Sequence, residues 1–174
     1  LVSDWGRRGI GVGTLLDPDT ERALRDLGEK LPKKRFPTLY RGMRFPSGTL
    51  FSSGFEDGHK VEDPPGFSWT PQGILMRTDL NFYKKFMSGL RSWSPKITSA
   101  LYYAGRSSKR ESWDPDALLM VWNNPPQSSV VIDTSTISNS LATDKGEVLA
   151  DSSSARIKSI EYDSRKGLVI LNIE

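Results

Sequence analysis

A chain of 174 residues, 36% hydrophobic and 26% charged, has the size and composition of one globular domain rather than of a disordered segment. The absence of cysteine excludes disulfides, thiolate nucleophiles and cysteine-ligated zinc. A formal net charge of +3 favours an anionic substrate or an acidic partner, and no apolar run reaches the roughly 20 residues of a membrane-spanning helix. We therefore expect one monomeric domain over residues 1–174, with residues 1–16 as a flexible glycine-rich lead and no membrane contact.

Helix signals occur in three segments. A capping Asp17, followed by proline and acidic residues, predicts a helix that ends near Lys30. Apolar residues spaced three and four apart predict a second helix over residues 74–90. Pro95 and the glycine after residue 104 bound a third helix over residues 96–104.

Strand patterns occupy most of the remaining chain. Strands are predicted over residues 38–43, 49–52, 67–70, 117–122, 130–133, 147–150, 155–162 and 168–173. The turn at residues 164–167 should make the last two an antiparallel hairpin. Because helices mostly precede a run of strands, we predict an α+β class with antiparallel sheets.

Arg41 lies in the predicted strand Leu39-Tyr40-Arg41-Gly42. A guanidinium presents a planar fork of donors that matches two phosphate oxygens, and Gly42 would let a ligand approach the backbone. The alternative for Arg41 alone is a strand-edge arginine that pairs with a carboxylate.

Ser68 and Thr70 share one face of the predicted strand Phe67-Ser68-Trp69-Thr70, which we expect to be buried. Buried hydroxyls need partners, since an unpaired one costs about 1 to 3 kcal/mol. The alternative is a cross-strand hydroxyl pair that only stabilises the sheet.

Glu147 begins the apolar strand Glu147-Val148-Leu149-Ala150. A carboxylate there can accept a hydrogen bond from a ribose hydroxyl and stabilise the positive charge that develops as a glycosidic bond breaks. The alternative is a strand-edge acid that faces Lys145 or Lys158. His59 is the only histidine, so we expect no metal site and no serine-histidine-aspartate triad.

In this order, Tyr40-Arg41-Gly42, Ser68-Trp69-Thr70 and Gly146-Glu147-Val148-Leu149 resemble the arginine-serine-glutamate class of mono-ADP-ribosyltransferases, found among bacterial toxins, secreted effectors and phage-encoded enzymes. The resemblance implies two roughly perpendicular antiparallel sheets with NAD in the cleft between them. It implies that Arg41 and Gly42 contact NAD, that Ser68 orients the catalytic acid with support from Thr70, and that Glu147 is that acid.

The loop before Glu147 departs from the arginine-modifying members of that class, which carry a second glutamate two residues before the catalytic one. Here that position is Lys145, which cannot accept a proton from an incoming guanidinium. Asp144 could substitute for the missing acid. With Asp144 and Lys145 in acceptor recognition, we expect the acceptor to be a host protein side chain other than arginine, modified in the host-cell cytosol after secretion or phage delivery; a nucleic acid is a less favoured acceptor.

Two other functions stay open at this point. A relative whose acceptor loop is not productive would hydrolyse NAD, as a glycohydrolase. A non-enzymatic binding domain would use the basic residues 33–35 to hold an acidic protein or nucleic acid.

Overall fold

The computed structural model describes residues 16–56, 59–60, 64–107, 115–136 and 146–174. The helices in these residues are α1 (Pro18–Glu29), α2 (Leu80–Lys84) and α3 (Ile97–Tyr103). The strands are β1 (Thr38–Phe45), β2 (Phe51–Ser52), β3 (Phe55–Glu56), β4 (His59–Lys60), β5 (Phe67–Trp69), β6 (Leu75–Arg77), β7 (Leu90–Trp93), β8 (Asp116–Asn123), β9 (Val130–Asp133), β10 (Val148–Asp151), β11 (Ile157–Asp163) and β12 (Leu168–Ile173). The predicted α+β class is confirmed.

Two sheets form the centre of the described structure. A four-stranded sheet has the order β1-β8-β12-β11, and a three-stranded sheet has the order β7-β10-β9. The segment between β1 and β7 forms a further three-stranded sheet, β2-β6-β5, and the two-stranded pair β3-β4. The two central sheets are joined by a bridge in which the amides of Tyr40 and Ser94 each donate to the other's carbonyl, at 2.7 and 2.8 Å.

One strand pair differs from the expectation of purely antiparallel sheets. β12 runs parallel to β8, with Leu168 opposite Ala117 and Ile173 opposite Trp122. A parallel neighbour requires a long crossover, and the segment that contains β9, β10 and β11 provides it. The predicted hairpin of β11 and β12 is confirmed as antiparallel.

The core explains why β8 is apolar almost without interruption. Leu118, Met120 and Trp122 enter the largest buried cluster. Ala117 and Leu119 pack on the opposite face with two buried alanines, one in α3 and one directly after it. A strand covered on both faces has no solvent side on which a polar alternation would be favoured.

Helix α1 ties the second sheet together from one side. The predicted cap is confirmed, since Asp17 accepts a hydrogen bond from the Thr20 amide at 3.0 Å. Glu21 accepts a hydrogen bond from the Leu90 amide of β7 at 2.9 Å. Arg25 donates a hydrogen bond to Asp151 of β10 at 2.7 Å. Since Asp151 and Leu90 lie opposite each other in the pairing of β10 with β7, α1 contacts both strands at the same point.

The predicted helix over residues 74–90 is wrong in most of its length. Residues 75–77 form the middle strand of β2-β6-β5, and only α2 within that range is an α-helix. Leu75 and Met76 pair with strands on both sides and are buried, which outweighs their helical spacing. Asp79 then caps α2 by accepting from the Asn81 amide at 3.1 Å.

The expectation of a buried strand over residues 67–70 is also wrong. β5 is an edge strand of its sheet, Ser68 is exposed, and Trp69 is 45% exposed. The third predicted helix, over residues 96–104, is confirmed as α3, and Gly105 follows it with a φ of +72°, a left-handed conformation suited to glycine.

Candidate active site

Glu147 is held at the entrance to β10 by its own backbone. Its carbonyl accepts two hydrogen bonds from Thr134, one from the amide at 3.0 Å and one from the hydroxyl at 2.7 Å. The Thr134 side chain is buried, so both bonds are shielded from water. The position of the Glu147 side chain is therefore set by the end of β9 as well as by β10.

The Glu147 carboxyl receives a hydrogen bond from a serine of the neighbouring strand. The Ser92 hydroxyl on β7 donates to Glu147 Oε1. Ser92 pairs with Leu149, two residues beyond Glu147, and alternation along a strand puts Glu147 and Leu149 on one face. A residue and the diagonal neighbour of its partner are within reach of one another, which explains this contact.

Burial and this hydrogen bond act on the carboxyl in opposite directions. Burial raises the pKa of Glu147 above its usual value near 4.5, and the hydrogen bond from Ser92 lowers that pKa, with burial the larger effect. The site thus contains a partly desolvated acid whose orientation is fixed by a hydroxyl donor.

Arg41 occupies a fixed position on β1. Its neighbour Tyr40 forms the bridge to Ser94, and its other neighbour, Gly42, packs against α3 so closely that a Cβ on Gly42 would collide with the carbonyl oxygen of Ala100. The approach to the Gly42 backbone that we expected for a ligand is therefore filled by α3. Glycine is required at this position by helix packing.

The Arg41 side chain is a buried cation. It is 5% exposed, and its Nη1 has no hydrogen-bond partner among the described residues. Burial, together with the smaller effect of the nearby Arg91 charge, lowers the pKa of Arg41 to about 9. The buried Arg41 guanidinium, with an unpaired Nη1 among the described residues and the charge of Arg91 nearby, favours a multiply charged anion, since unpaired buried charge is costly.

The two parts of the site are connected through β7. Ser92 contacts Glu147, and Ser94, two residues later, bridges to Tyr40, which precedes Arg41. Arg41 and Glu147 are thus placed on strands that flank the same short segment. Two of the three residues expected to be catalytic, Arg41 and Glu147, are thus connected through one strand.

Ser68 makes a different contact from the one we expected. Its hydroxyl forms a hydrogen bond of 2.9 Å with the Thr78 hydroxyl, the cross-strand pair that was the alternative for this motif. Thr70 accepts a hydrogen bond from the Ile74 amide at 3.1 Å and closes the turn between β5 and β6. The hydrogen bond to the acid that we expected from Ser68 is made by Ser92, because β7 rather than β5 is the strand paired with β10.

The sequence contains a signal for Ser92 that the strand prediction missed. Ser92-Trp93-Ser94 alternates hydroxyl and aromatic side chains directly before Pro95 and a helix. The spurious helix over residues 74–90 ends where β7 begins, so this strand was not recognised. Asp144 and Lys145, expected in acceptor recognition, lie outside the described residues.

No group of three or more potential metal-ligating side chains occurs within the described residues. Among those same residues, no helix has the length and apolarity needed to cross a bilayer.

Comparison with known proteins identifies similar structures. No protein-family model matches the chain, and no curated protein matches it. The ADP-ribosyltransferase Vis in complex with agmatine aligns with a TM-score of 0.46 and 17% identity, over 90% of this chain and 56% of that one. The Vis toxin, an ADP-ribosyltransferase from Vibrio splendidus, aligns with a TM-score of 0.40 and 16% identity, over 100% of this chain and 62% of that one. The chain thus spans less than two thirds of the length of either structure.

Replacement of Glu147 by glutamine should stabilise the fold in a pH-dependent way. Because the pKa of Glu147 is raised in the folded state, that state binds a proton more readily than the unfolded chain, and stability falls as pH rises above about 4.5. Glu147→Gln removes this penalty and keeps an acceptor for Ser92. We expect a melting temperature higher by about 1–4 °C near neutral pH, with the difference vanishing near pH 4.

The measurement is thermal unfolding of wild type and variant across that pH range. Glu29→Gln, at an exposed glutamate at the end of α1, is the matched control and should show no such trend. An equal or lower melting temperature for Glu147→Gln near neutral pH would contradict the assigned burial effect.

Proposed function

We propose that this chain is an NAD-dependent mono-ADP-ribosyltransferase of the arginine-serine-glutamate class, with Arg41, Ser92 and Glu147 as its central residues. The observation that carries the proposal is the Glu147 carboxyl, hydrogen-bonded by Ser92 on the strand that bridges to β1 beside a buried Arg41. The order and chemistry of these three groups agree with the resemblance found in the sequence, with Ser92 in the place expected for Ser68.

Arg41 would hold the pyrophosphate of NAD. The orphaned Nη1 and the neighbouring charge of Arg91 suit a dianion, and the residues flanking Arg41 fix its backbone. A guanidinium fork can bind two phosphate oxygens at once, which also orients the ligand. Binding of the pyrophosphate would offset the cost of the buried cation.

Glu147 would act at the ribose next to nicotinamide. When the glycosidic carbon–nitrogen bond breaks, its electron pair leaves with nicotinamide and positive charge develops on the ribosyl carbon. An ionised carboxylate stabilises that charge and can accept a hydrogen bond from a ribose hydroxyl. Ser92 is the positioning residue, because its hydroxyl directs the carboxylate and favours the ionised form.

We propose a protein side chain other than arginine as the acceptor. The support is Lys145, two residues before Glu147, where a base for guanidinium attack would be needed. Transfer requires that the acceptor nucleophile, rather than water, captures the ribosyl carbon. A glycohydrolase would share every step up to that capture.

Release of nicotinamide from NAD tests the proposed reaction. We expect Glu147→Gln to reduce the rate by about 100-fold or more, since electrostatic stabilisation of a transition state is worth about that much. Glu29→Gln should retain the wild-type rate. Labelled NAD incubated with a host lysate then distinguishes transfer, which leaves label on macromolecules, from hydrolysis, which does not. Wild-type rates in folded Glu147→Gln would refute the assignment.

Removal of the Ser92 hydroxyl should alter the pH profile as well as the rate. Loss of a hydrogen bond to a charged group costs about 1.5–3 kcal/mol, so Ser92→Ala should reduce kcat by about 10-fold or more. Because this bond lowers the pKa of Glu147, its loss should move the acidic limb of the kcat profile to higher pH.

Two further serine variants make the Ser92 measurement decisive. Ser68→Ala tests the serine expected from the sequence and should leave the acidic limb in place, since Ser68 bonds to Thr78. Ser88→Ala is the control for an exposed serine near β7. A shifted acidic limb in Ser68→Ala, with no shift in Ser92→Ala, would support Ser68 rather than Ser92 as the residue that positions Glu147.

Substitution of Arg41 should abolish NAD binding without unfolding the protein. Arg41→Met fills the same buried space and removes the charge, and replacing a buried unpaired charge by an apolar side chain is neutral or stabilising. In a Glu147→Gln background, which does not consume the ligand, we expect millimolar NAD to raise the melting temperature, and Arg41→Met to eliminate that shift. Arg44→Met, at an exposed arginine of the same strand, should retain it. An undiminished shift in Arg41→Met would exclude Arg41 from the phosphate site.

A further inference from the structure

A groove lies between the turn after β5 and the hairpin of β11 and β12, and none of the residues proposed for catalysis lines it. Its volume is about 620 Å³, and Trp69, Ile160, Glu161, Tyr162, Asp163 and Ile170 contribute to its walls. We call it the β5–β11 groove. The four-stranded sheet begins with β1 at one edge and ends with β11 at the other, so roughly 14 Å of sheet separates the groove from the strand of Arg41.

The groove follows the edge of β11 that pairs with no other strand among the described residues. Glu161 and Asp163 alternate with Ile160 and Tyr162 along the strand, so both faces of β11 line the same depression. A depression reached from both faces of a strand must run along its edge. β5, on the opposite wall, is also an edge strand. Edge strands present backbone donors and acceptors to an incoming segment.

The groove is acidic on a chain whose net charge is positive. Glu161 and Asp163 are the charged residues among the described lining residues, whereas the whole chain has a formal charge of +3. The Asp163 carboxylate is held in place by the backbone amides of Arg165 and Lys166, at 2.8 and 3.2 Å. The local charge therefore opposes the overall charge and favours a cationic occupant.

Trp69 supplies an aromatic surface at the same place. Its side chain is 45% exposed, and its ring lies over Gly54, where an added Cβ would be 3.2 Å from Cη2. An exposed indole beside carboxylates suits a guanidinium or ammonium group, which binds the ring face and pairs with the acids. This gives a role to the Phe67-Ser68-Trp69-Thr70 motif that the proposed active site does not use.

We propose that the β5–β11 groove binds an extended, basic segment of a partner polypeptide, which adds as a strand along the edge of β11. Lysine or arginine side chains of that segment contact Glu161, Asp163 and the face of Trp69. Strand addition supplies affinity through backbone hydrogen bonds, and the acidic and aromatic groups supply selectivity. The proposal stands apart from the catalytic assignment, since no residue of the proposed active site lines the groove.

The test uses a fluorescein-labelled heptapeptide of alternating arginine and valine, matched to the 7 residues of β11. Fluorescence anisotropy measures its binding to the full chain and to variants. We expect Glu161→Arg and Trp69→Ser each to weaken binding by about 5-fold or more. Glu29→Arg and Tyr102→Ser, which change an exposed acid and an exposed aromatic elsewhere, should bind as wild type does.

Two altered peptides separate the parts of the proposal. A peptide with glutamate in place of arginine should bind at least about 5-fold more weakly. A peptide with alternate backbone amides N-methylated, which lacks the donors along one edge, should also lose binding. Equal affinity of the basic and acidic peptides, or undiminished binding of the methylated one, would overturn the proposal.

Thermal unfolding of each variant verifies that it is folded, and sedimentation of the chain alone tests the other occupant. If Trp69→Ser and Glu161→Arg abolish self-association and leave peptide binding unchanged, the groove pairs two copies of this chain and the proposal is wrong. Nicotinamide release by these variants should match wild type, so failure of the groove is distinguishable from failure of the proposed reaction.

Discussion

The reciprocal backbone hydrogen bonds between Tyr40 and Ser94 are the constraint on which the site depends. They join β1 of the four-stranded sheet to the end of β7, and β7 in turn pairs with β10. Since Arg41 follows Tyr40 and Glu147 precedes β10, this bridge connects the strand of the buried cation to the ladder that Glu147 leads into. Gly42 supports it by allowing α3 to pack directly on β1.

The proposed site places ionisable side chains where desolvation disfavours their charged forms. Arg41 and Arg91 are both nearly inaccessible to solvent, and burial raises the pKa of Glu147. The buried charge of Arg41, whose Nη1 has no hydrogen-bond partner among the described residues, costs stability in the absence of a ligand. Such costs are typical of sites that bind charged substrates, where the ligand supplies the missing partner and desolvation strengthens electrostatic interactions.

The β5–β11 groove and the strand of Arg41 lie at opposite edges of the four-stranded sheet, and the groove carboxylates and the Arg41 guanidinium carry opposite charge. The buried Arg41 suits the anionic dinucleotide of the proposed reaction, whereas the groove has carboxylates that suit the proposed basic segment. The proposed transfer of a group from a small anion to a macromolecule would use both kinds of contact. The strands between them, β8 and β12, are the most buried of the sheet and provide a rigid connection.

The sequence alone determined the α+β class, the capped helix α1, helix α3, the final hairpin and the candidate residues Arg41 and Glu147, because these depend on local caps, turns and alternation. Tertiary structure decided which serine contacts Glu147. Ser68 and Ser92 both lie in short strands with alternating hydroxyl and aromatic side chains, and only pairing distinguishes them: β7 is hydrogen-bonded to β10, and β5 to β6. Ser92 and Glu147 are 55 positions apart in the chain and meet only through strand pairing. Local sequence patterns do not specify which distant strand a segment pairs with.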